Sequence, residues 1–265
     1  MARIDPARWP AQWLRPDWPA ELPVRAVVTT RDGHGCSAGP YAHLNLGIWV
    51  GDQAQAVADN RALLGRTLGL PGEPHWLQQV HGSVVIDDQA RSTADRPTPK
   101  PADAAITEQI DVVLAVLTAD CLPLFLAASD GSEVALVHAG WRGLAAGVIE
   151  ACVRRMRSAP NQLLAWLGPA IGPTAFEVGA EVRDALCADD PAAAAAFKPR
   201  NLPPDQPAKW FCDLYLLARL RLHRLGVGAI SGGGLCTHSD ATRFYSYRRD
   251  AVTGRMASLI WREEG

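Results

Sequence analysis

The chain carries no CxxC pair, no Walker A sequence, no GxGxxG behind a predicted strand and no HExxH. The commonest structural-zinc, nucleotide-binding and metalloprotease signatures are therefore missing. Its six cysteines, at 36, 121, 152, 187, 212 and 236, are scattered, which argues against a disulfide scaffold and leaves most of them as buried thiols. No window approaches the roughly 20 apolar residues of a membrane helix. There is no excess of positive charge either: 26 Lys and Arg against 28 Asp and Glu give a net charge of −2, so the general field that draws proteins to nucleic acid is absent. The first 23 residues mix charges, Trp and Pro without an apolar signal core, so the expected location is the cytoplasm, with neither membrane nor nucleic acid as a partner. No internal repeat is visible.

What is present is ordinary globular composition, 48% hydrophobic and 20% charged over 265 residues, enough for a sizeable core. Residues 1–23, with Trp9, Trp13, Trp18 and five prolines, read as an arm that packs its indoles onto a body comprising residues 24–265. The body is organised around residues 111–147. Val112 to Leu117 and Leu122 to Ala128 are apolar runs of strand length, and Val134 to Val137 is a third, separated from the second by Asp130-Gly131. Asp-Gly is a two-residue hairpin signal. With those residues as the turn, Ser129 faces Ser132, and counting back sets Cys121 opposite Gly140, about one rung from His138. Neighbouring strands lie ~4.8 Å apart, so the thiol and the imidazole are close enough to share a metal ion. A third ligand must come from elsewhere.

Other elements follow from the same periodicities. Strands are expected at Val24 to Thr30, His75 to Val80, Val84 to Ile86, Leu163 to Leu167, Val227 to Ile230, through the aromatic FYSY stretch, and at the end of the chain. Helices are expected from Asp52 onward and over Leu144 to Arg157, Val178 to Leu186 and Leu214 to Leu225. Residues 87–103 are polar, Pro-rich and aperiodic, a surface loop with the length of a lid. His81 stands at the break between two strands, where an isolated histidine is ordinarily just a satisfied polar group. Asn45 and Arg61 are open to two readings, ligand binding or the turn and exposed-helix roles usual for these residues. Arg142, between Gly140 and Gly143 at a predicted helix start, either helps bind an anion or pairs with a carboxylate.

Several of these stretches together resemble one family, the YfiH-type proteins, long labelled polyphenol oxidoreductase laccases and now regarded as purine nucleoside phosphorylases. The matching pieces are QQVHG at 78–82, TADC at 118–121, HAGWRG at 138–143, GPAIGP at 168–173, and CT followed by FYSYRRD and TGR within 236–255. The resemblance implies a single α/β (α+β) domain of layered mixed β-sheets flanked by helices. It also implies a zinc site on His81, Cys121 and His138, three protein ligands that leave one tetrahedral position open, as in catalytic zinc centres. Family members tend to carry a histidine before VGD, where this chain has Trp49.

The implied reactions are phosphorolysis of adenosine, inosine and methylthioadenosine to base and ribose 1-phosphate, and deamination of adenosine. In the second, zinc would acidify a water for attack at C6 of adenine, with Asp120 moving protons. Cys121, Asp120 and Arg142 are the expected catalytic residues, and Asn45, Arg61, Gln78 and Arg248 the expected substrate contacts. The partners are then a small purine nucleoside and phosphate, with the protein a monomer or small homo-oligomer. Two rival activities share the same residues. A copper-dependent polyphenol oxidase would need more than this chain offers, since its seven histidines contain no His-X-His pair. Copper supplied in vitro would still compete for the three ligands, because Cu²⁺ binds such donors more tightly than Zn²⁺. A cysteine hydrolase of peptidoglycan precursor editing would instead use Cys121 as a nucleophile activated by a histidine.

Overall fold

A computed structural model describes residues 5–89 and 101–264. Its strands are β1 (Val24–Val28), β2 (His75–Trp76), β3 (Val85–Asp87), β4 (Ala104–Thr107), β5 (Leu114–Thr118), β6 (Leu122–Ala128) and β7 (Val134–Ala139). They continue with β8 (Leu163–Leu167), β9 (Glu177–Val178), β10 (Phe197–Pro199), β11 (Trp210–Cys212), β12 (Ala229–Gly232) and β13 (Met256–Arg262). The helices are α1 (Ala54–Leu68), α2 (Trp141–Ala145), α3 (Val148–Arg155), α4 (Ala180–Cys187), α5 (Leu214–Arg224) and α6 (Tyr247–Asp250).

The strands form a sheet in the order β1-β13-β5-β2, a larger one in the order β12-β8-β6-β7-β4-β3, and a small one, β10-β11-β9. Side-chain alternation sorts the core into layers. Leu122, Leu124 and Leu126 of β6 face α3, α5 and the small sheet, whereas Phe125 and Ala127 face Val116, Met256 and Ile260 of the other large sheet. Ala257, Leu259 and Trp261 of β13 point the opposite way, onto Leu64 and Leu68 of α1. Both large sheets are thus covered on both faces, which is why β6 and β7 read as unbroken apolar runs. Trp9 and Trp13 are buried in the α1 layer, with the Trp9 ring 5.8 Å from that of Trp261. Trp18 packs at the edge of the layer between the sheets.

The central hairpin has the register that an Asp130-Gly131 turn requires: Leu122 faces Ala139, Pro123 faces His138, and so on to Ala127 facing Val134. Other expectations need correction. The helix expected over Leu144 to Arg157 starts three residues earlier and is broken into α2 and α3 at Gly147, whose φ of 80° no α-helix accommodates. The strand expected over His75 to Val80 stops at Trp76, because the Gln79 side chain takes over: its amide donates to the Leu117 carbonyl and accepts from the Leu117 N–H. The aromatic stretch near the C-terminus is not a strand. Phe244 and Tyr245 are core side chains, the Tyr245 N–H bonds the Met256 sulfur, and Ser246 caps α6. The predicted loop 87–103 is buried at both ends: Asp88, bonded to His75, together with Ala102 and Asp103. Residues 90–100, and with them the expected lid, lie outside the described residues.

Candidate metal centre and substrate cavity

The open end of the β6–β7 hairpin holds Cys121, one residue before β6, and His138, one residue before the end of β7. His81 reaches them from the break between β2 and β3, where its backbone takes a left-handed φ of 59°. The donor atoms of His81, Cys121 and His138 all lie within 4.8 Å of one another, and no other such group of three occurs among the described residues. The Cys121 Sγ is 3.9 Å from His81 Nε2, and the two imidazoles meet edge to face at 4.8 Å between centroids.

Electrostatics favour the ligating form of the thiol. Loss of water around the sulfur opposes ionisation, but the positive charge and hydrogen bond of His138, with His81 in support, outweigh it and bring Cys121 down to about 6. Burial likewise disfavours a charged His138, yet the Cys121 thiolate and the Asp103 carboxylate raise it to about 9. Each group thus favours the charged form of the other, a thiolate beside an imidazolium. A soft anionic sulfur and two imidazoles are a donor set suited to zinc or copper, and a metal would displace the remaining proton.

Asp103 was not anticipated from the sequence. It is 0% exposed, accepts from His138 Nδ1 at 2.8 Å, and receives the backbone N–H groups of His81 and Gly82 at 2.9 and 2.7 Å. Burial works against its charge, but His138 and these N–H donors prevail and hold it below the usual carboxylate range. Its place at the end of a Pro-rich tract gave no periodic signal; a buried partner for a ligating histidine was the only clue available.

The three donors line a cavity of ≈ 590 Å³, to which Asp120, Arg142, Gln78 and Arg248 also contribute. The Asp120 carboxylate accepts from the Thr237 hydroxyl at 2.6 Å and from the Arg248 backbone N–H at 2.7 Å, tying the start of the hairpin to α6. Arg142 lies over the Trp141 ring at 4.3 Å, and its guanidinium has no hydrogen-bond partner among the described residues. Arg248 is anchored, donating to the Glu177 carbonyl and lying over Phe176. Neither Asn45 nor Arg61 lines the cavity. Asn45 is fully buried, with its Oδ1 accepting from the N–H groups of Gly47 and Arg255, so it positions two residues that do line it. Arg61 donates twice to the Leu46 carbonyl and lies over Trp76; burial, opposed by Glu73, lowers it to about 10. The cavity also gains two side chains that sequence reasoning gave no binding role, Trp49 and Tyr247, 69% and 60% exposed, and Arg255 lines it as well.

A layered α/β fold with a His/Cys/His cluster opening into a cavity of aromatic and guanidinium groups defines a specific class. The family model described as multi-copper polyphenol oxidoreductase laccase matches residues 25–263, and the chain belongs to this family, the YfiH-type proteins. A Xylella fastidiosa protein named purine nucleoside phosphorylase is 49% identical over 96% of this chain and 98% of its own length. Escherichia coli K12 purine nucleoside phosphorylase YfiH is 48% identical over 93% and 97%. A crystal structure from Neisseria meningitidis superposes with a TM-score of 0.87 at 44% identity, covering 96% of this chain and all of that one. No described helix is long and apolar enough to cross a membrane.

Proposed function

We propose that this chain is a zinc-dependent purine nucleoside phosphorylase that also deaminates adenosine. The carrying observation is the cavity itself, which His81, Cys121 and His138 line together with aromatic side chains and arginines. Purine rings stack on aromatic side chains, and Trp49, Trp141 and Tyr247 offer such faces. Phosphate needs guanidinium donors, and Arg142 has all of its own unspent among the described residues. Arg248 and Arg255 add positive charge to the lining. In phosphorolysis a phosphate oxygen bonds C1′ as the bond from C1′ to the base nitrogen breaks, releasing the purine and ribose 1-phosphate. The relatives named purine nucleoside phosphorylase support this reading.

His81, Cys121 and His138 would hold the metal, which would supply Lewis acidity for activating water. Asp120, with both carboxylate oxygens already accepting, is held in place to exchange protons with a bound purine. The test is adenosine incubated with purified protein, with and without phosphate, followed by chromatography and by metal analysis of the same sample. Adenine and ribose 1-phosphate should appear only with phosphate, alongside inosine, from protein holding about one zinc per chain. Inosine alone removes the phosphorylase; full activity without metal removes the zinc reading and favours Cys121 as a nucleophile in a cysteine hydrolase.

A further inference from the structure

We infer that Asp103 is the positioning residue of the metal centre, one carboxylate that sets the orientation of both ligating histidines. The inference rests on the His81–Cys121–His138 reading above. β4 and β7 pair antiparallel with Ala104 opposite Val137, and the same register carried one residue further sets Asp103 opposite His138. The His138 N–H donates to the Asp103 carbonyl at 2.7 Å, which confirms the pairing. Directly opposed residues in a ladder project from the same face, so the sheet itself delivers the carboxylate to the imidazole.

The two oxygens divide the contacts, with Oδ1 serving both the imidazole and the backbone. Oδ1 accepts from His138 Nδ1 at 2.8 Å, which commits that nitrogen to carrying a proton and leaves Nε2 as the atom that can give its proton up to a metal. Oδ1 also takes the His81 N–H at 2.9 Å, while Oδ2 takes those of Gly82 at 2.7 Å and Val80 at 3.3 Å. Three consecutive N–H groups converging on an anion form a concave nest, and this one encloses the residue whose left-handed backbone aims the His81 ring. His81 and His138 lie 57 residues apart in sequence, on different segments, and a buried carboxylate is what they have in common.

An amide cannot do both jobs. In Asp103→Asn one oxygen can still accept, but the NH₂ group meets either the N–H nest or His138 Nδ1–H as a donor facing a donor. The measurement is zinc affinity by chelator competition for wild type and Asp103→Asn, with the melting of both metal-free proteins recorded. A loss of roughly 10–100-fold in affinity is expected, the range for a group that orients a ligating histidine. Wild-type affinity in a folded Asp103→Asn overturns the inference, whereas a wild-type protein that takes up no zinc overturns the underlying metal-site reading. Nitrogen NMR on isotope-labelled histidine in zinc-loaded wild type tests the same point should the variant not fold. His138 must carry its proton on Nδ1; a proton on Nε2 overturns the assignment.

Discussion

Gly140 leaves the Cys121 sulfur its place: a β-carbon at position 140 would stand 2.8 Å from Cys121 Sγ and 3.3 Å from His81 Cδ2. The backbone there is ordinary, with φ −69° and ψ 164°, so what calls for glycine is space.

Gly140→Ala is therefore expected to fold, since alanine suits that backbone conformation. The added methyl group displaces the thiol from the two imidazoles, and metal sites tolerate only about 0.5 Å of such error. Chelator competition should show zinc affinity at least about tenfold weaker, with metal-free melting close to wild type. Undiminished affinity would mean that Cys121 does not ligate.

Alkylation of Cys121 should depend on both metal and pH. In metal-free protein the sulfur is a thiolate down to about 6, so the rate of labelling by iodoacetamide at this residue should be level from pH 7 upward and halve near pH 6. An unperturbed thiol would still be gaining rate up to about pH 8.5. Zinc should suppress the labelling throughout, while Cys152, buried and pushed up to about 12, stays unlabelled with or without metal. Peptide mapping by mass spectrometry reads each site. Rapid labelling of zinc-loaded protein, or a covalent substrate adduct on Cys121, would favour the cysteine-hydrolase alternative.

Arg142→Ala and Trp49→Ala should separate the two substrates kinetically. Loss of the Arg142 guanidinium should raise KM for phosphate about tenfold or more with little change for adenosine, since a charge-assisted contact contributes ~1.5–3 kcal/mol. Loss of the Trp49 indole should do the reverse, by a similar factor if base stacking there is worth ~1–3 kcal/mol. Initial rates over a grid of both concentrations decide it, and equal effects on the two KM values would contradict the division of the cavity.

Much of this centre was legible because its geometry is local. An Asp-Gly turn dictates the pairing of every rung above it, so Cys121 opposite Gly140 followed from counting. His81 needed the family resemblance, since its approach depends on the pairing of β3 with β4, which no short-range pattern reports. Asp103 stayed hidden because its polar, Pro-rich surroundings look solvated, although a single register step places it under His138. For Asn45 and Arg61, where the sequence left a ligand role and a structural role open, the side chains hold a backbone carbonyl and backbone amides. The break at Gly147 was obscured by the continuous apolar face of Leu144, Val148 and Cys152, which suits one helix as well as two.

β13 also constrains how the molecule can be made. It lies between β1 and β5, so Val24 pairs with Arg262, the widest sequence separation in the strand ladders. A growing chain can complete the β6–β7 hairpin early, yet β1 and β5 keep unpaired edges until residues 256–262 have been synthesised. During that interval the layer between the sheets lacks Met256 and Ile260, and α1 lacks the surface of Leu259 and Trp261. Assembly of this sheet is accordingly a late, long-range event, and a chain halted short of residue 256 would present sticky strand edges to its neighbours.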